Sequence, residues 1–156
     1  MSIQVGQQAP DFTLYNTDKK QVTLSEQKGK NVLLLFFPFA FTGTCTKELC
    51  SVRDNIAMYN DLNAEVFGIS TDSVHTLIKY KADQSLNFLL LSDFNKVVSK
   101  AYDTIYDTYY LGHDGVSKRS AFVIDKEGIV RYAEVLENAL DIPDFDKIKA
   151  ALESLA

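Results

Sequence analysis

The feature that most constrains this chain is the stretch NVLLLFF, Asn31 to Phe37, which is apolar at every position after the asparagine. A strand with one wet face alternates apolar and polar residues. A continuous apolar run belongs to a strand covered on both faces, the arrangement found where helices pack on each side of a largely parallel sheet. The flanking sequence supplies such helices. From Thr46 to Leu62 the apolar residues Leu49, Val52, Ile56, Met58, Tyr59 and Leu62 recur at roughly three-to-four spacing, an amphipathic helical pattern.

The rest of the chain reads in the same terms. Asp11 to Tyr15 and Gln21 to Leu24 are expected as short strands separated by the polar turn Asn16-Thr17-Asp18-Lys19. Glu65 to Ser70 is expected as a strand, then a helix started by Thr71-Asp72-Ser73 and running to about Gln84. Phe88 to Leu91 forms a further short strand, Asn95 to about Ile105 a helix, and Tyr106 to Lys118, with Gly112 and Gly115, a long loop. Ser120 to Asp125 and Ile129 to Val135 make a hairpin around Lys126-Glu127-Gly128, and a final helix starts near Pro143-Asp144. The resulting order, β-α-β-α-β-α-β-β-α, implies one α/β domain over residues 1–156 with a mixed sheet and no internal repeat.

Composition narrows the function. With 16 basic and 21 acidic residues the net charge is −5, and no lysine- or arginine-rich run offsets it, so nucleic acid and anionic lipid are excluded as expected partners. The longest apolar run, Val32 to Phe41, is interrupted by Pro38 and is far shorter than the ~20 residues needed to cross a bilayer. The segment MSIQVGQQAPDF lacks the charge and apolar core of a secretory signal, which points to the cytoplasm. In a reducing compartment the chain's 2 cysteines fit catalytic or redox chemistry better than a structural cross-link.

Those cysteines, Cys45 and Cys50, lie in FTGTCTKELC, directly after the apolar strand. If the helix starts at or just before Cys45, its sulfur sits among unpaired backbone N–H groups at the positive end of the helix, surroundings that favour thiolate over thiol. Thr42 adds a hydroxyl three residues earlier, and Gly43 allows close backbone approach. Two readings of Cys45 stand at this point: an activated nucleophile, or a small buried hydrophobe. Cys50 is likewise either a core-facing helical residue or a redox partner. On an ideal helix it lies about 7.5 Å farther along the axis and ~140° around it. A disulfide needs Cα atoms within about 6.8 Å, so bonding requires the first turn to unwind. His75 and His113 stand at no familiar metal-ligand spacing from the pair, so no metal or cofactor is expected.

Pro38, Thr42 and Cys45 together match P-x-x-x-[TS]-x-x-C, and the chain here resembles the peroxiredoxins, in particular their bacterioferritin-comigratory (Q-type) and alkyl-hydroperoxide-reductase-E-like branches. The resemblance extends through Gly6, Ala9, Pro10, Asp11 and Phe12, the GIS ending at Ser70, LLSD at Leu90 to Asp93, and RSAFVID-KEG at Arg119 to Gly128. It implies a thioredoxin-like fold, a central mixed sheet flanked by helices, and a thiol peroxidase acting on hydrogen peroxide and organic hydroperoxides. Cys45 would be the peroxidatic residue, Thr42 would orient sulfur and peroxide, Pro38 would shield the pocket, and Arg119 would stabilise the developing charge. Cys50 occupies the position that in the Q-type branch often resolves the sulfenic acid as an intramolecular disulfide, reduced in turn by a thioredoxin-like partner. The E-like branch can instead use an external thiol. Glu48 matches an acidic position common in these branches, and is read either as a loop anchor or as a solvated helical residue. The resemblance allows a monomer or a homodimer. Tyr102, Tyr106, Tyr109 and Tyr110 are expected in core or loop packing, with a dimer surface or pocket wall as the other reading.

Two competing functions remain. A thioredoxin-like disulfide oxidoreductase would be expected to show C-x-x-C, which is absent. A thiol redox sensor or a holdase would need no turnover.

Overall fold

The computed structural model describes residues 2–155. In chain order the strands and helices that frame the site are β1 Thr13–Asn16, β2 Gln21–Thr23, β3 Asn31–Phe36, α1 Gly43–Asp54, α2 Ile56–Asp61, β4 Ala64–Ser70 and α3 Val74–Asp83. They continue with β5 Leu89–Ser92, α4 Val97–Ala101, β6 Ile105–Tyr106, β7 Val116–Ser117, β8 Ser120–Ile124, β9 Val130–Val135 and α5 Phe145–Ser154. Seven strands form one sheet in the order β2-β1-β5-β4-β3-β8-β9. β3 pairs parallel to β4 and antiparallel to β8, which puts it at the centre of a mixed sheet.

The apolar run is explained by this placement. Leu33, Leu35 and Phe37 point to one face, where Leu49, Val52, Tyr59, Tyr80, Ile148 and Leu152 from α1, α2, α3 and α5 cover them. Val32, Leu34 and Phe36 point to the other, packed with Phe67, Ile69, Phe122, Tyr102 and Val98. Each such fully buried leucine or phenylalanine stabilises the fold by about 1.5–3 kcal/mol relative to exposure.

Local chemistry sets the helix starts. Ser73 accepts a hydrogen bond from Thr76 N and Asp144 accepts one from Lys147 N, satisfying N–H groups that have no partner inside the helix. Three sequence expectations are corrected. The helix expected over 46–62 is two helices, broken at Asn55, whose amide Nδ2 donates to Ser51 O at 2.8 Å. The helix expected over 95–105 contracts to Val97–Ala101, bounded by Lys96 and Asp103 in the left-handed region. There the Asp93 carboxylate accepts from Val98 N and Ser99 N at 3.1 and 2.6 Å. The segment 106–118 is not all loop, because β6 pairs with β7 through Ile105↔Ser117 and Tyr106↔Val116. Among the described residues no helix is long and apolar enough to cross a membrane.

Candidate active site

The site assembles at one end of the sheet, where the parallel strands finish and helices begin. β3 runs out at Phe36 and the chain turns through Pro38, Phe39, Ala40 and Phe41 before α1 starts at Gly43, two residues ahead of Cys45. Phe41 takes a left-handed φ of 66°, which makes this turn sharp, and Pro38 is buried beneath it. Thr42 sits at the N-cap position with extended backbone. Its hydroxyl does not cap the helix; it donates to Phe39 O at 2.9 Å, which leaves the oxygen's lone pairs as acceptors. Cys45 is 1% exposed, in the first turn of α1.

Strand pairing delivers the arginine. Phe36 lies opposite Ser120, so the residue before Ser120 stands just beyond the end of β3, beside the loop. That residue, Arg119, is 1% exposed and uses its guanidinium in three directions. Nη2 donates to Cys45 Sγ at 3.1 Å, Nη1 to Glu48 Oε1 at 2.7 Å, and Nε to the Ala139 carbonyl at 2.9 Å. A solvated position at the strand edge for Arg119 does not hold in the fold. Nor does a solvated Glu48: one helical turn after Cys45, it is 0% exposed.

Burial dominates the electrostatics. It pushes the Glu48 carboxyl up to about 7, against the opposing charge and hydrogen bond of Arg119, with Glu134 adding to the rise. Burial also works against the Arg119 charge, but the charges and hydrogen bonds of Cys45 and Glu48 together outweigh it and raise the guanidinium above its ordinary value. The site thus holds a fixed cation against the sulfur at the N-terminal end of a helix, an environment suited to an anionic nucleophile.

Cys50 lies on the far side of the same helix, half-buried, its thiol donating to Gln84 Oε1 at 3.6 Å. Both thiols are free, and α1 is continuous through them. Beside Arg119 a cavity of about 870 Å³ opens between Thr42, Gly43 and the 106–110 and 137–140 segments. The four tyrosines divide between the two readings. Tyr102 is core, whereas Tyr106, Tyr109 and Tyr110 line this cavity, the first two stacked at 5.1 Å. His113 packs edge-on to Phe39 at 4.9 Å and His75 is exposed on α3. Among the described residues no group of three or more His, Cys, Asp or Glu could hold a metal ion.

Sequence reasoning passed over two residues that hold this arrangement. Asp72 Oδ2 accepts from Ala40 N at 2.8 Å, and Tyr80 OH shares a hydrogen bond with Thr46 Oγ1 at 2.9 Å while its ring lies 5.0 Å from that of Phe41. Both contacts span more than thirty residues, and no local pattern announces them.

Comparison with known proteins gives a consistent picture. Residues 5–133 match the AhpC/TSA family. Peroxiredoxin Bcp of Bacillus subtilis is 38% identical over 129 residues, covering 82% of this chain and 82% of that protein. Alkyl hydroperoxide reductase E of Mycobacterium tuberculosis is 38% identical over 136 residues, covering 85% and 86%. Among solved structures, peroxidoxin BcpB from Mycobacterium tuberculosis superposes with a TM-score of 0.87 at 30% identity over 99% of both chains.

Proposed function

Because the chain belongs to the AhpC/TSA family and is a thiol-dependent peroxidase, a peroxiredoxin that takes a hydroperoxide and a thiol reductant, we propose that Cys45 is the sulfur that attacks the peroxide. The observation that carries this reading is the 3.1 Å hydrogen bond from the buried Arg119 to Cys45 Sγ.

The Cys45 thiolate attacks one oxygen of R–O–O–H. A sulfur–oxygen bond forms as the O–O bond breaks, and the bond's electron pair leaves on the other oxygen, which takes up a proton and departs as an alcohol or water. Sulfur is oxidised to the sulfenic acid and the peroxide is reduced. Negative charge develops on the leaving oxygen, and a fixed guanidinium beside the sulfur stabilises that charge without reorganising. Thr42 accepts the peroxide O–H through the lone pairs left free by its bond to Phe39, and buried Pro38 keeps water from the sulfur.

Cys50 then attacks the sulfenic sulfur, forming the S–S bond and releasing water, once the first turns of α1 unwind. A thioredoxin-like dithiol reduces the disulfide and restores both thiols. One domain performs the cycle, as monomer or homodimer, in the cytoplasm, where reducing partners are plentiful, and without nucleic acid, membrane or cofactor. Cys45→Ser abolishes peroxide consumption on this account while leaving the fold intact by circular dichroism; retained turnover would place the chemistry elsewhere, and a fully active holdase in that variant would favour the binding class.

A further inference from the structure

The loop that carries Pro38 and Thr42 has few supports of its own: Phe41 is left-handed and half exposed, and α1 begins only at Gly43. Its main-chain anchor comes from across the sheet. Ile69 lies level with Phe36 in the parallel β3–β4 pair, so the turn after β4 arrives at the same end of the sheet as the loop. In that turn Asp72 Oδ2 accepts from the N–H of buried Ala40 at 2.8 Å and from Ser70 Oγ at 2.7 Å. Asp72 is itself fixed, because its N–H donates to Ser70 Oγ at 3.2 Å and its carbonyl accepts from Ser92 Oγ at 2.6 Å. Ser70 and Ser92 are paired residues at the ends of β4 and β5, so the carboxylate stands on two rigid strands.

We propose that Asp72 is a positioning residue for the peroxide reaction: its carboxylate oxygen latches the Ala40 amide and so holds the Pro38–Thr42 loop in the geometry that Cys45 oxidation needs. It acts through the loop and touches neither sulfur nor peroxide. The inference builds on Cys45 as the reacting sulfur, and its structural half is read without peroxide, so the two readings fail separately.

The test compares Asp72→Ala with Asp72→Asn. Asparagine can place its amide oxygen where Oδ2 stands and accept from both Ala40 N and Ser70 Oγ; alanine cannot. In the reduced protein, amide exchange at residues 40–42 is expected to accelerate about tenfold or more in Asp72→Ala, with the β3 and β4 amides unchanged. The second-order rate of Cys45 oxidation is expected to fall by about tenfold or more, since small misplacements of reacting groups slow reactions steeply, and Asp72→Asn is expected to recover it to within about threefold. Ser70→Ala, which keeps the carboxylate but removes its orienting hydroxyl, gives a smaller loss and serves should Asp72→Ala fold poorly. Unchanged exchange at Ala40, an unchanged oxidation rate in Asp72→Ala, an equal loss in Asp72→Asn, or acceleration spread evenly over β3 and β4 would each overturn the proposal.

Discussion

Glu48 accepts a hydrogen bond from Arg119 through Oε1 at 2.7 Å, while its second oxygen, Oε2, is buried without a hydrogen-bond partner among the described residues. The carboxylate is therefore half satisfied, and the lopsidedness explains why burial, rather than the ion pair, decides its titration. Arg119 is shared between this carboxylate and the Cys45 sulfur.

The first prediction concerns Arg119. Lysine has one ammonium where arginine has a planar fork, and it cannot serve Cys45, Glu48 and the Ala139 carbonyl together. Arg119→Lys should slow Cys45 oxidation by about 10²-fold, the scale of losing one preorganised donor, as measured by stopped-flow mixing with hydrogen peroxide. Arg119→Ala should in addition destabilise the fold by about 3 kcal/mol in urea titrations, because it strands a buried carboxyl.

The second concerns pH. With its carboxyl raised from 4.5 to about 7, Glu48 is neutral in folded and unfolded chains below about pH 4.5, and its burial then carries no ionisation penalty. As pH climbs through 7 the unfolded chain has already ionised and the folded chain resists, so this stability is lost. Relative to Glu48→Gln, the wild type should lose on the order of 3 kcal/mol between about pH 4.5 and pH 8, read by urea unfolding at both ends.

Cys50→Ser should leave the first oxidation as fast as in the wild type but remove the intramolecular exit for the sulfenic acid. Repeated peroxide exposure then drives Cys45 to sulfinic acid, visible by mass spectrometry. Equal resistance of both proteins would assign resolution to an external thiol.

Gly68 tests the packing behind the site. A Cβ built there would lie 2.7 Å from Leu90 Cδ2 and 3.3 Å from Phe37 Cε1, in the filled core beneath β4. Gly68→Ala should therefore destabilise the protein by about 1–3 kcal/mol through overpacking, measured as a shift in the urea midpoint.

What the sequence made legible was local. NVLLLFF announces β3 because both of its faces are buried, and Pro38, Thr42 and Cys45 could be picked out together because they lie within eight residues of chain between β3 and the first turn of α1. Arg119 could be picked out by its place before FVID, but its burial follows from the Phe36–Ser120 register, which no local pattern encodes. Glu48 offered two signals, its match to an acidic position common in the resembled branches and its place one helical turn after Cys45. Asp72 offered none, since its bond to Ala40 spans 32 residues and turn chemistry alone accounted for an aspartate there. β6 and β7, two residues each, are too short to show any periodicity.

On the proposed cycle Cys45 reduces the peroxide and Cys50 resolves the resulting sulfenic acid. The most direct measurement is rapid mixing of the reduced wild-type protein with hydrogen peroxide and with an organic hydroperoxide, followed by intact-mass analysis. The expected result is a fast second-order reaction whose product is about two mass units lighter than the reduced protein, with the bond mapped to Cys45 and Cys50. A fast reaction ending about sixteen units heavier would contradict resolution by Cys50, and oxidation no faster than that of an ordinary free cysteine would contradict the cycle as a whole.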